Sequence, residues 1–231
     1  MKFNCYFLPL LFAFCVTSAR AQAVDPLEKM QFRTLGWEVS LKDLYYDYKG
    51  KDVKIAVVHS ARSPFYALDV GDTISFYELI PNPDKPPTRK IVAVADVSTT
   101  KPWPLIVFRA GNQPGGMFKV SAIADDPKSF PYNTCRFINL TESDLYAKYG
   151  DEQIKIPAKG VESASMKLSS TEKGKIRNTM LVALTGDGPL LVYSNNWIVS
   201  HNNRVLVFIN PSPSGIRVSR IADSAEQYSK P

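Results

Sequence analysis

Residues 43–55 read Asp43-Leu44-Tyr45-Tyr46-Asp47-Tyr48-Lys49-Gly50-Lys51-Asp52-Val53-Lys54-Ile55. Residues 144–156 read Asp144-Leu145-Tyr146-Ala147-Lys148-Tyr149-Gly150-Asp151-Glu152-Gln153-Ile154-Lys155-Ile156. The two stretches align at an offset of 101, and the match extends upstream through Ser40 with Thr141 and Val39 with Leu140. Two further matches follow in the same order. Leu105-Ile106-Val107-Phe108 meets Val205-Leu206-Val207-Phe208 at an offset of 100, and Val120-Ser121-Ala122-Ile123-Ala124-Asp125 meets Val218-Ser219-Arg220-Ile221-Ala222-Asp223 at 98. Strands share Val, Ile and Tyr for general reasons. Matched Lys54 with Lys155, and a shared Ser-x-Ile-Ala-Asp, go beyond that and predict a duplicated unit of about one sandwich domain.

Local patterns around these matches predict sheet. Ile74 to Leu79 partly alternates apolar with polar, and Lys90 to Ala95 is a short β-branched run. Pro81-Asn82-Pro83-Asp84-Lys85-Pro86-Pro87 lacks the donors a ladder needs and predicts a long, stiff hairpin loop. In the second half, strand-like runs at Met180–Leu184, Leu190–Tyr193, Trp197–Ser200 and Val205–Ile209 are separated by Gly186-Asp187-Gly188, Asn195-Asn196 and Asn202-Asn203. Such residues accept positive φ and predict tight hairpins. Strands at this spacing argue sandwich or barrel. The expected fold is all-β, with two tandem immunoglobulin-like β-sandwich halves over residues 24–127 and 128–224 and a frayed tail over 225–231. The boundary falls at Asp125-Asp126-Pro127-Lys128-Ser129-Phe130-Pro131, where two prolines break any strand.

The chain opens with Lys2, an apolar run from Phe3 to Val16, and Ala19-Arg20-Ala21-Gln22-Ala23. One positive charge, a short greasy core and Ala-x-Ala spacing predict a cleavable export signal over residues 1–23. The run is too short for a membrane-spanning helix, which needs roughly 20 apolar residues, so no transmembrane anchor is expected after cleavage. The expected location is periplasmic or extracellular. Cys5 and Cys15 leave with the signal, so Cys135 stays without an internal partner and is expected to be a buried apolar residue. Loss of Lys2 and Arg20 moves the formal charge from +6 to +4. The basic residues are scattered among acids, as in Lys49-Gly50-Lys51-Asp52, which argues against a nucleic-acid partner.

Arg136-Phe137-Ile138-Asn139-Leu140-Thr141, then Gln153-Ile154-Lys155-Ile156-Pro157, the late Val-Leu-Val-Phe strand and the closing Ile-Arg-Val-Ser-Arg-Ile give the chain a family look. It resembles uncharacterised exported immunoglobulin-like β-sandwich proteins of environmental bacteria. The resemblance spans most of the mature chain, implies a sandwich fold and a bacterial source, and carries no activity or site residue.

Chemistry-bearing constellations do not emerge from the sequence. Only His59 and His201 are present, and with one mature cysteine no zinc spacing exists. No nucleophile elbow, phosphate loop or dinucleotide fingerprint occurs, so no cofactor is expected. Asp125, Asp126 and Asp223 sit at strand ends without the alternating acids of a calcium loop and read as turn residues. Asn139-Leu140-Thr141 fits a glycosylation acceptor, but inside a strand. Trp103, in the proline-fixed Lys101-Pro102-Trp103-Pro104, and Trp197 are the candidate binding residues, since an exposed indole grips a sugar or protein surface well. Three functions follow as expectations. The leading one is a non-enzymatic binding or structural module with a protein or cell-envelope partner. The others are a carbohydrate-binding module, and a hydrolase with acids between the halves.

Overall fold

The computed structural model describes residues 30–69, 71–111, 115–168, 174–213 and 215–225; the expected export signal and most of the expected tail lie outside them. The first half holds β1 (Gln31–Trp37), β2 (Leu41–Tyr48), β3 (Lys51–Val57), β4 (Tyr66–Ala67), β5 (Thr73–Asn82), β6 (Lys85–Asp96), β7 (Pro104–Arg109) and β8 (Lys119–Ala124). The second holds β9 (Thr134–Asn139), β10 (Leu145–Tyr149), β11 (Glu152–Ile156), β12 (Val161–Ser165), β13 (Gly174–Thr185), β14 (Gly188–Ser200), β15 (Asn203–Ser212) and β16 (Gly215–Ser224). The protein is all-β.

Four sheets of four strands result, ordered β4-β1-β7-β8 and β3-β2-β5-β6 in the first half, β12-β9-β15-β16 and β11-β10-β13-β14 in the second. Adding eight to each strand number of the first pair gives the second. The single parallel pairing in each half corresponds too, β1 with β7 and β9 with β15. Within each half the two sheets close on a core of alternating inward residues. Phe32, Tyr46, Phe76, Ile106 and Phe108 belong to the first, and Phe137, Tyr149, Leu181, Trp197 and Val207 to the second.

The register corrects the residue matching. Ile106 and Phe108 face the core of the first half, whereas Leu105 and Val107 face away from it. In β15 it is Val207 and Ile209 that face the core of their half, with Leu206 and Phe208 turned away. Ile106 therefore corresponds to Val207, not Leu206, and the offset is 101. The alignment at 100 puts every side chain on the wrong face, because the strand period is two residues. The upstream extension slips likewise. Val39 packs toward the core of the first half and Leu140 toward the seam between halves, where Trp37 is its counterpart.

That seam is a third core. Leu35, Trp37, Leu105 and Val107 pack against Phe130, Ile138, Leu206, Phe208 and Ile221, with the Trp37 and Phe208 rings 4.5 Å apart. Each fully buried apolar side chain contributes roughly 1.5–3 kcal/mol over exposure, so the halves are held as one body. It forms because β1, β7, β9 and β15 carry apolar side chains on both faces, with Phe32 on one face of β1 and Leu35 and Trp37 on the other, and Phe137 and Ile138 likewise divided in β9.

Two expected loops are strand. Residues 81–87 are not a long loop: β5 runs to Asn82 and β6 starts at Lys85, and the ladder slips between Ile80 and Asn82. A bulge at that point spares the prolines the ladder donors they lack. Asn195-Asn196 is not a turn either. Both lie inside β14, without positive φ, and the Asn178 amide donates to Asn196 Oδ1 at 3.1 Å across the ladder. Gly186-Asp187 is the hairpin between β13 and β14, with Gly188 at φ 114° supplying the backbone only glycine adopts readily.

Candidate docking face

The two candidate tryptophans are not brought together. Trp197 is 1% exposed, stacked against Phe137 at 6.0 Å, donating its indole N–H to Tyr193 Oη and covered by the Arg220 guanidinium. Its ring is a core element of the second half. Trp103 is partly exposed, lies 5.2 Å from Phe65, and its carbonyl accepts from the Asp125 N–H. His59 is exposed beside Ser60. Cys135 is buried and donates to Tyr149 Oη, and burial pushes its thiol up to about 11. Among the described residues no three His, Cys, Asp or Glu side chains are grouped to hold a metal ion.

Asp125 and Asp223, matched in sequence, do meet. Arg33 reaches both, at 2.5 Å and 3.0 Å; Arg204 bonds Asp223 at 2.7 Å and Arg62 bonds Asp125 at 3.2 Å. Arg204 also donates to the carbonyls of Asp125 and Phe130. Arg136 donates to the carbonyls of Ala124 and Ser129, and burial lowers its pKa. These five side chains, three cations and two anions, are at most 4% exposed. Acids enclosed by guanidinium groups serve as an inter-half tie, and the same donors make the cluster unsuited to a cation. Asp126, beside them, is held below the usual carboxylate range: burial raises it, but the hydroxyl and N–H of Ser129 and the N–H of Lys128 outweigh that.

The outward faces of the two corresponding outer sheets differ in chemistry. In the first half, β2, β3, β5 and β6 carry a polar lattice. Tyr45 and Tyr77 stack at 6.5 Å, Arg89 lies over Tyr77, and Arg89 bonds Asp47 at 2.9 Å and Asp52 at 2.6 Å. Tyr77 Oη donates to Asp52; burial first, and then that bond, raise the phenol well above its ordinary value. In the second half the register puts Val182 in place of Tyr77, Lys148 in place of Asp47 and Gln153 in place of Asp52. No lattice forms there. Tyr146, Met180, Val182 and Leu184 instead line a shallow groove of about 450 Å³ with Lys148 and Lys155 at its margin.

Further apolar side chains stand out from β13 and β14, on either side of the exposed Asn178–Asn196 pair. Ile176 and Ile198, opposite each other, are 65% and 77% exposed, and Leu191 is 52% exposed. The edges differ as well. In the first half Phe118, just before β8, donates its N–H to the Val92 carbonyl on β6 at 2.8 Å. In the second half β15 and β16 pair as far as Ser212 with Gly215, with two residues between them in sequence, so the longer β7–β8 stretch of the first half has no counterpart. Sequence reasoning missed this face. Its signal is present in the alternation of Ile176, Met180 and Val182 with Arg177, Thr179 and Leu181, but which set faces water depends on the fold.

No protein-family model matches the chain, and no curated protein matches it in sequence. Among the described residues no helix is long and apolar enough to cross a membrane.

Proposed function

We propose that this chain is an exported, non-enzymatic binding module that docks a protein partner on the outer face of β10, β11, β13 and β14. One observation carries the reading. Two corresponding sheets differ in outer chemistry, and the second has an apolar groove where the first has a lattice of Tyr77, Arg89, Asp47 and Asp52. Contiguous exposed apolar surface of this kind marks interaction sites. Of the two lysines lining the groove, Lys155 is paired with Asp144 at 2.6 Å, so Lys148 is the charge that favours a partner with an apolar ridge and a flanking carboxylate. The rigid seam suits a module that presents one face in fixed orientation. Two facing sheets per half of domain size support an immunoglobulin-like description. The signal-like first residues support export.

The test is residue-resolved photocrosslinking in the native envelope, with a benzophenone amino acid at Leu184 or Val182 and, as control, at Ile91 on the corresponding first-half face. A discrete adduct at the second-half positions only, weakened by Lys148→Glu, is expected. Equal adducts on both faces, or none from the second, would overturn the assignment. Glycan capture lost on Trp103→Ala would move the function to carbohydrate binding.

A further inference from the structure

Eight strands form the edges of the four sheets: β3, β4, β6, β8, β11, β12, β14 and β16. An edge strand offers unpaired backbone groups to any other strand, and proteins guard such edges with charge, proline or cover. β6 carries Lys85, Pro86, Pro87, Arg89 and Lys90 and is capped through Phe118. β3, β8, β11, β12 and β16 each carry at least one charged residue, and β4 is two residues long. β14 is different: its thirteen residues, Gly188 to Ser200, include no charge, and the only proline is second in the strand.

We propose that the β14 edge pairs with β14 of a second copy of this chain, joining two four-stranded sheets into one of eight about a twofold axis. The sequence of β14 is complementary to itself. An antiparallel twofold at Asn195 sets Ser194 opposite Asn196 and Tyr193 opposite Trp197. The β13–β14 ladder has an irregularity that leaves Val192 as an extra residue. With that residue absorbed, Leu191 comes opposite Ile198 and Leu190 opposite Val199. Each pair then shares a face, as antiparallel pairing requires. Leu191 and Ile198, on the water side, are the exposed apolar residues with most to gain from such a neighbour.

Charge favours a second copy too. A chain of formal net charge +6, or +4 without Lys2 and Arg20 of the expected export signal, repels its own kind, and a neutral strand is where two copies approach at least cost. The lysines of the docking groove lie on β10 and β11, away from the junction. Pairing at β14 therefore leaves the groove open and doubles it across the axis. The inference rests on the edge and stands apart from the proposed partner.

Sedimentation equilibrium of the purified protein tests it, together with oxidative crosslinking of Asn195→Cys. Cα atoms of directly opposed antiparallel residues lie about 4.5–5.5 Å apart, within disulfide range, so the variant should give a covalent dimer. Cysteine at Ile91, on the guarded β6 edge, should not. Ile198→Lys and, separately, Leu191→Lys replace exposed side chains, and each should raise the dimer dissociation constant at least about tenfold with unchanged circular dichroism. A monomer throughout, a dimer indifferent to both lysines, or an Asn195→Cys adduct in cells with a different protein would each overturn the proposal. All three leave the groove assignment to its own photocrosslinking test.

Discussion

Asp223→Asn keeps the shape of a buried side chain and removes one of two negative charges from the tie between the halves. In the native protein that carboxylate accepts from Arg33 at 3.0 Å and from Arg204 Nε at 2.8 Å and Nη2 at 2.7 Å, all within a nearly dry enclosure. Three arginines and two aspartates already leave one surplus positive charge; the variant leaves two. Breaking one side of a buried ion network costs about 3–5 kcal/mol, because the orphaned charge stays out of water. With a urea slope of about 2 kcal/mol/M, the unfolding midpoint should fall by roughly 1.5–2.5 M. Arg62→Met is the internal control. It removes the surplus charge, a 3.2 Å bond to Asp125 and longer contacts with Asp223 and the Ile221 and Ala222 carbonyls, all weaker than those Asp223 makes, so it should cost less than Asp223→Asn. Because Arg33 spans the seam to Asp223, the loss should weaken coupling between the halves, and the single transition should broaden or divide. A midpoint shift under about 0.5 M for Asp223→Asn, or a larger loss for Arg62→Met, would refute the reasoning.

Alkaline pH should destabilise the fold. Cys135 is raised to about 11 and Tyr46 to about 12, both chiefly by burial. Groups raised in the folded state contribute stability that is complete below their unfolded values of about 9 and 10 and lost as pH climbs through the folded ones, so the melting temperature should fall from about pH 9 upward. A flat profile to pH 11 would contradict this, as would rapid reaction of the native Cys135 thiol with an aromatic disulfide. Asn139 donates to the carbonyls of Ser143, Ile156 and Pro157 and accepts from Thr141. Asn139→Asp should therefore cost more than Asn139→Ala in chemical denaturation, since a carboxylate would face three carbonyl oxygens; Ala itself should cost about 1–3 kcal/mol. Trp197→Ala should cost about 3–5 kcal/mol and Trp103→Ala much less, measured the same way, because only the first indole fills a core.

The sequence was enough for the strand content and for the pairing of short neighbours. Asp43 meets Lys54 at 2.5 Å and Asp144 meets Lys155 at 2.6 Å, a local geometry written into residues eleven apart. Gly186-Asp187 turns where its residue types demand. Reading failed where a residue type is permissive rather than decisive. Asparagine accepts a turn but also fits a strand, and the ladder to Asn178 made the choice in β14. Proline refuses a ladder donor but tolerates a bulge, and the slip in β5–β6 supplied one.

What only tertiary structure decided is which face of each strand looks inward. Leu105–Phe108 of β7 and Val205–Ile209 of β15 are apolar at every position, so these stretches contain no alternation to choose by, and a one-residue slip in matching them went unseen. The third core, the Arg33–Asp223 contact across 190 residues and the position of β14 at a sheet edge all follow from how the two sandwiches are assembled. Strand formation is local, set by side-chain type and turn chemistry. Burial is collective, set by which of two equally apolar faces meets another sheet.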